Sequence, residues 1–485
     1  MAPGAPLNAR GFDLVVIGTG FGSAFFLHKA LQRLRPNARC LVLERGGVHT
    51  HQWQLEHSRN SDIESADTIR TRPGEKPWRF SLGFGGGTNC WWGVTPRMHP
   101  TDFALRTRYG VGRDWPLSYE DLEPFYGEAE SIMGIAGDDD IGALFPRSTA
   151  FPQPPHVLTT ADQRMKAAMP GLHFALPTAR SSVPTPQRGV CCANATCDLC
   201  PTNAKFTVLN GMTSTFSDPR VELVTRAEVY AIETEGGRAR RILYRREGRE
   251  ESAEGDLVVL GANALFSPAI LQRSGIDSAV TGRGLHEQLS LLVDVFFDGL
   301  DHFDGGTATT GVNYALFDGA HRREMSGVAV LFRNWPIHGF RLDPGRWRQV
   351  MPLQLMAEVL PDDENRIFLA SDSPVPTIYH GPRSEYATRG LERAFAGLPE
   401  LLAPLPVERI ESRGYRDSEA HMQGTLRMGR DPSDSVVDAG QVHHTVRNLV
   451  VVGTSVFPSC GVANPSLTAA ALSLRAASRL FPAAS

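Results

Sequence analysis

The sequence predicts an α/β protein that opens on a nucleotide-binding βαβ unit and carries an inserted unit built on a mostly antiparallel sheet. Three observations predict it: a glycine-broken strand-to-helix turn near the start, a second apolar strand ending in a carboxylate, and β-rich runs between residues 290 and 360. The first strand is Phe12-Asp-Leu-Val-Val-Ile, which breaks into Gly18-Thr-Gly20-Phe21-Gly22-Ser23 before the apolar helix from Ala24 to Leu31. Gly18 supplies the tight turn, and Gly20 lets the backbone approach a pyrophosphate at the helix N-terminus, where unpaired N–H groups favour anions. Ser23 stands where the last glycine of the G-x-G-x-x-G pattern is expected, and it is small enough for close helix packing. Cys40-Leu-Val-Leu-Glu44 is the second strand, with its carboxylate placed to bind a ribose diol.

A second glycine cluster follows at Phe84-Gly85-Gly86-Gly87-Thr88-Asn89-Cys90-Trp91-Trp92-Gly93, then Thr95-Pro96-Arg97. Glycine allows backbone to lie against a flat ring system, and a solvated loop rarely carries two tryptophans. In the inserted unit, Leu291 to Phe297, Ser326 to Arg333 and Val350 to Val359 read as strands between polar turns. Pro-rich stretches near residues 145 to 190 read as long connecting loops of the kind that cover active sites. Near the C-terminus, His421-Met-Gln-Gly-Thr-Leu-Arg-Met-Gly is followed by Asn448 to Gly453 and then by Gly461-Val-Ala-Asn464-Pro465-Ser466. By local rules Asn464 and Pro465 are a good N-cap and first helical residue for the apolar helix that follows. His443 and His444 fall in a turn and read as structural or solvent-facing.

Taken in order, these motifs resemble the glucose-methanol-choline (GMC) oxidoreductases, and the likeness runs through most of the chain. It includes Asp114-Trp-Pro-Leu-Ser-Tyr-Glu-Asp-Leu-Glu-Pro-Phe-Tyr126 and the stretch from Asp256 through Gly261 to Gly275. The branch containing pyranose oxidases and bacterial sugar dehydrogenases is the most similar, because it pairs a His in H-x-x-G-T-x-R-M-G with an Asn before Pro. The resemblance implies a Rossmann-like FAD-binding domain with an inserted α+β substrate domain. It places cofactor contacts at Gly18, Gly20, Phe21, Gly22, Glu44, Gly85, Gly86, Thr88, Asn89, Cys90, Val229, Gly261, Gly453, Thr454, Asn464, Pro465 and Ser466. Cys90 stands where some pyranose oxidases carry a histidine bonded to the flavin; a packed small residue is the default reading.

Oxidising an alcohol on a flavin removes a hydride from carbon and a proton from oxygen, so a base must reach the hydroxyl. Neutral imidazole suits that task near pH 7, and an adjacent amide orients the same hydroxyl without competing for its proton. His421 is therefore assigned as general base and Asn464 as its hydrogen-bonding partner. The substrate expected is a sugar, glycoside or sugar-containing metabolite such as an aminoglycoside intermediate. Two rivals stand beside this reading: an FAD-containing lyase of the cyanohydrin-cleaving type, and an electron-transfer subunit without its own substrate.

At 485 residues the chain is long enough for two sizeable cores, and its net charge of −4 offers no basic footprint for nucleic acid. No apolar run is long enough to insert in a membrane, and the first ten residues lack a signal peptide's pattern, so a cytoplasmic location is expected, with export beside a signal-bearing partner left open. The expected division is a cofactor domain from residues 1–150, 205–295 and 405–485, a Cys-rich insert at 151–204 and a substrate domain at 296–404.

Four thiols lie within ten residues, Cys191, Cys192, Cys197 and Cys200, while Cys40, Cys90 and Cys460 are isolated. In a chain without an export signal such a cluster argues for metal before disulfide. The resemblance implies an iron-sulfur cluster, since some sugar dehydrogenases hold one by a Cys-Cys-x4-Cys arrangement that passes electrons to a cytochrome or other acceptor protein. Cys200 lies closer to Cys197 than that group leads one to expect. A reduced structural loop and a zinc site are the alternatives.

Overall fold

The computed structural model describes residues 11–72, 75–335 and 346–482. Strands Val221–Val224, Cys40–Leu43, Gly11–Ile17, Arg249–Leu260 and Leu449–Val451 lie side by side in parallel. Leu14, Val15, Val16, Leu41, Val42, Val258 and Val259 are all buried, as strands covered on both faces require, which is why their sequences run apolar without alternation. Beyond them the sheet turns into a meander, with Ala227–Glu235, Arg238–Arg246 and the first half of Arg249–Leu260 pairing antiparallel. Helices Phe21–Leu31 and Ser466–Leu480 pack on each other, and helix Tyr119–Met133 joins them through a hydrogen bond between Tyr126 and Thr468 hydroxyls (2.8 Å).

The second sheet has six strands in the order Val407–Arg416, Leu289–Phe297, Val350–Ala357, Val328–Arg333, Thr309–Asn313, His173–Ala175, every pair antiparallel. All three runs expected as strands of the inserted unit are in it. The helix Glu385–Leu401 covers one face, burying Ala387, Leu391, Ala394 and Leu398 at helical spacing against Val293, Val330 and Leu355. Leu289–Phe297 and Val407–Arg416 also belong to this sheet, so the antiparallel layer starts before residue 296 and takes in the first residues after 404. Among the described residues no helix is long and apolar enough to cross a membrane.

One buried ionic cluster joins the two layers. Arg322, fully buried, donates to Glu358 through Nε and Nη2 (3.0 and 2.6 Å) and to Asp102 through Nη2 (2.7 Å). Asp102 belongs to the turn Pro100–Phe103 on the cofactor side, while Glu358 directly follows a strand of the antiparallel sheet.

Candidate active site

The glycine turn works as a cradle because two of its glycines touch protein backbone and one touches nothing. Gly18 has φ +90°, and a Cβ there would lie 2.6 Å from Gly261 O; a Cβ on Gly22 would lie 2.6 Å from Gly453 N. Around Gly20 there is no atom within 4 Å of a Cβ, and the helix it caps has no side-chain cap. Its first N–H groups are thus left for an anion. Ser23 donates to Ile17 O (3.1 Å), and its Oγ would be 2.0 Å from a Cβ on Gly261, so the serine does serve the close packing expected of the third glycine.

Glu44 is buried, with Oε1 accepting from Gly46 N (3.0 Å) and Oε2 accepting from the Thr19 hydroxyl (2.6 Å). Burial pushes its carboxyl up, and the Gly46 N–H and Thr19 O–H oppose that shift. The Thr19 hydroxyl in turn accepts from Gly85 N (2.9 Å), tying the second glycine loop to the first. Gly18, Gly20, Glu44, Gly86, Val229 and Gly261 line one cleft. Open backbone at a helix start, a carboxylate opposite it, and a buried Asn89 Oδ1 without a partner fit a bound dinucleotide. Thr88 and Asn89 hold the second loop's shape, Thr88 Oγ1 donating to Gly85 O (2.7 Å) and Asn89 Nδ2 to Phe84 O (2.8 Å). Phe21 meets Trp91 edge-on at 4.7 Å.

At the other end of the chain, His421 and Asn464 are in contact: Asn464 Nδ2 donates to His421 Nε2 at 3.1 Å. His421 Nδ1 donates to Gln288 Oε1 (3.0 Å), and the His421 main-chain N–H donates to Glu287 Oε2 (3.0 Å). Burial pushes the imidazole down to about 4, Glu287 working against the shift and Arg416 adding to it. The ring is therefore neutral at pH 7, with the proton on Nδ1 and the lone pair on Nε2.

The rest of the histidine motif is scaffolding. Gly424 has φ +76°, with Gly284 O 2.3 Å from where a Cβ would be; Thr425 Oγ1 donates to Ala264 O (2.9 Å); Arg427 pairs with Asp363 and Asp434. Thr454 fastens the motif to the turn after Gly453, its hydroxyl donating to Met422 O (2.7 Å). Helix Ser466–Leu480 is capped by Pro465 without a side-chain bond, which corrects the expectation that Asn464 is the N-cap. The Asn464 amide is directed to the imidazole instead. His443 accepts at Nδ1 from Val446 N (3.1 Å) and is structural, as expected.

The thiol loop rests on the second glycine loop. Lys205, buried, donates to Asn89 O (2.7 Å), Trp91 O (2.9 Å) and Asp198 O (3.5 Å), and burial pushes it down to about 8 against the pull of the nearby thiols. Cys197 is buried beside Arg180 Nη1 (3.8 Å), Cys191 Sγ lies 3.4 Å from Thr307 Oγ1, Cys200 is half-buried and Cys192 exposed. Burial pushes the Cys90 and Cys197 thiols up. Among the described residues no group of three or more His, Cys, Asp or Glu converges as a metal-ligand set. Thr19, Gln288, Glu287 and Lys205 are the site residues that motif reading misses; the one signal for the middle two is a polar His286-Glu287-Gln288 directly before the largely apolar strand Leu289–Phe297.

Comparison with known proteins identifies the family and the fold. Two family models described as GMC oxidoreductase match residues 78–290 and 364–473. The chain is 27% identical to the fructose dehydrogenase large subunit of Gluconobacter japonicus, over 97% of each chain. It is 28% identical to 6'''-hydroxyparomomycin C oxidase of Streptomyces lividus, over 96% of this chain and 90% of that one. Its fold matches the crystal structure of pyridoxine 4-oxidase from Mesorbium loti with a TM-score of 0.68 at 18% identity, covering 97% of this chain and 99% of the other.

Proposed function

The chain belongs to the GMC oxidoreductase family of FAD enzymes acting on CH–OH donors, and we propose that its own donor is a sugar, glycoside or sugar-containing metabolite. The observation that carries the reading is the His421–Asn464 pair, in which an unprotonated Nε2 accepts from the Asn464 amide 3.1 Å away. A substrate hydroxyl that replaces this bond, with the two side chains parting to admit it, donates to Nε2 and accepts from Asn464 Nδ2. When bound, FAD supplies the acceptor for the hydride leaving the carbinol carbon. His421 Nε2 takes the hydroxyl proton, so that alcohol becomes carbonyl with two electrons and two protons accounted for.

A hydroxyl-rich substrate is supported by the polar cavity that reaches Glu287 and Gln288. Arg72, Lys76, Tyr379, Arg383, Ser384 and Asp417 line it, offering donors and acceptors in a density that an aliphatic alcohol would leave unused. The names of two relatives, one a fructose dehydrogenase and one an aminoglycoside oxidase, point the same way. The test is anaerobic mixing of the FAD-loaded protein with panels of sugars, glycosides, aminoglycosides and simple alcohols. Bleaching of the flavin by a sugar-like compound, lost in His421→Ala, is the expected result, and it also removes the lyase and electron-carrier readings. Bleaching by simple alcohols alone overturns the substrate class.

For the electron exit we propose an iron-sulfur cluster on Cys191, Cys192 and Cys197 with Cys200 beside them, which requires the loop to draw together thiols that do not converge in this structure. What supports it is charge. Arg180 and Lys205 are buried beside this loop, bond to main-chain carbonyls, Arg180 also to Cys197, and form no ion pair with a carboxylate among the described residues. Unpaired buried cations are costly, and an anionic thiolate-bound cluster would offset them. Such a cluster would supply a route for electrons to a cytochrome or other acceptor protein. Iron and acid-labile sulfide in protein purified without air test the reading, and their absence from fully flavinylated protein refutes it.

A further inference from the structure

We propose that Gln288 is a positioning residue for the oxidation: it sets which nitrogen of His421 is the base and holds the base and Asn464 in register. The inference rests on the assignment of His421 made above. Gln288 Nε2 donates to two carbonyls of the loop that carries Asn464, Gly461 O and Ala463 O, each at 2.9 Å. With both amide hydrogens committed, the side chain has one orientation, and its Oε1 faces His421 Nδ1 at 3.0 Å, with Gln423 Nε2 at 3.3 Å. An amide oxygen is an acceptor only, so Nδ1 must carry the proton. Nε2 is then left unprotonated on the side where Asn464 donates to it. Gln288 is itself buried to 1% exposure, so water does not compete for these bonds.

One residue thus bonds His421 and the loop that carries Asn464, two residues 43 positions apart in the chain. It does so without a charge. An acidic residue at this place would stabilise the imidazolium and raise the pH at which the base is lost. The charged groups already facing the imidazole are Glu287, which accepts from the His421 N–H and pairs with Lys76, and Arg416; Glu419 reaches the same Glu287 carboxylate through its N–H. A neutral acceptor on Nδ1 orients the ring while leaving this balance untouched.

The test uses the FAD-loaded enzyme with a substrate found by the anaerobic screen, comparing wild type, Gln288→Met, Gln288→Glu and His421→Ala. Flavin content and melting temperature serve as the check on folding, and Gln288→Glu supplies a readout that loss of packing cannot imitate. Gln288→Met is expected to lower the limiting rate of flavin reduction about 10- to 100-fold, with a smaller change in apparent substrate affinity. Gln288→Glu is expected to move the acid limb of the rate upward by about one pH unit or more. If both variants keep the wild-type limiting rate and acid limb while His421→Ala is inactive, the positioning role is overturned. If His421→Ala still bleaches its flavin at the wild-type rate, the base assignment fails, and this inference with it.

Discussion

Alanine at Gly20 and alanine at Gly22 are two substitutions of the same size, two residues apart, that should fail in different ways. At Gly22 the added methyl would lie 2.6 Å from Gly453 N and 2.9 Å from Gly453 Cα, against 3.4 Å or more for ordinary contact. Both partners are backbone, so helix Phe21–Leu31 and the segment after Leu449–Val451 must part by about an ångström, an overpacking cost at the upper end, about 3 kcal/mol. Spread over the unfolding entropy of a chain this long, that lowers the apoprotein melting temperature by roughly 3 °C. At Gly20 the methyl meets no protein atom, and φ −74°, ψ −168° is backbone any residue adopts. The apoprotein should melt as wild type. The methyl would instead stand where the motif is expected to seat the cofactor's pyrophosphate, and a cost of 1–3 kcal/mol charged to binding would weaken FAD by roughly 5- to 150-fold. Calorimetry of apoprotein, with flavin absorbance per protein after gel filtration, separates the two. A Gly20→Ala protein that keeps wild-type FAD affinity, or a Gly22→Ala apoprotein that melts as wild type, refutes the reasoning.

Burial holds His421 down to about 4, so the base stays unprotonated through mild acid; the limiting rate of flavin reduction should stay level from pH 8 to about 5 and fall below that, and a midpoint near 6.5 would contradict the buried geometry. His156, His286 and His443 are also held to about 4 by burial, so the unfolded chain binds protons below its ordinary value of about 6.5 that the folded chain refuses. Their stability contribution is full above pH 6.5 and declines toward pH 4, by up to about 1.4 kcal/mol per pH unit for each; equal urea midpoints at pH 7 and pH 5 would rule this out. Arg322→Met should destabilise by about 3–5 kcal/mol, because it strands the fully buried carboxylates Asp102 and Glu358, and unchanged melting would show the cluster to be idle.

The parts of the site that the sequence discloses are those whose chemistry is local. Gly18, Gly20 and Glu44 are legible because a strand, a turn and a second strand must follow in order within one βαβ unit. His421 stood out through a motif whose other members, Gly424, Thr425 and Arg427, turn out to hold backbone. Contacts between distant segments left no trace of comparable strength. Gln288 meets His421 across 133 residues and Ala463 across 175, and a glutamine directly before a largely apolar strand is by itself an ordinary observation. Lys205 reads as a surface cation until its three carbonyl partners are seen. Local rules offer Asn464 a second role as a helix cap, because asparagine before proline fits it; the structure caps the helix at Pro465 and turns the Asn464 amide to His421. In the thiol loop, sequence proximity of the four cysteines says nothing of where each side chain is directed, and they range from buried Cys197 to exposed Cys192.

The proposed catalytic pair, His421 and Asn464, is held from both layers, and this explains why the buried ionic cluster belongs to the same problem. The loop from Ser459 to Asn464 carries the amide. From the cofactor side, Trp115 Nε1 donates to Ser459 Oγ (3.1 Å), and Asp102 Oδ2 lies 2.1 Å from where a Cβ on Gly461 would stand. From the antiparallel sheet, Cys460 Sγ reaches Val359 O (3.3 Å), the residue after Glu358, and Gln288 holds the carbonyls of Gly461 and Ala463. Arg322 joins Asp102 to Glu358 directly behind these contacts. A shift of one sheet against the other therefore moves the loop carrying Asn464 relative to His421, and a displacement of about 1 Å between base and amide is enough to cost on the order of 100-fold in rate. Gly461 can then be only glycine, because any side chain there would displace Asp102 and loosen the clamp at its centre.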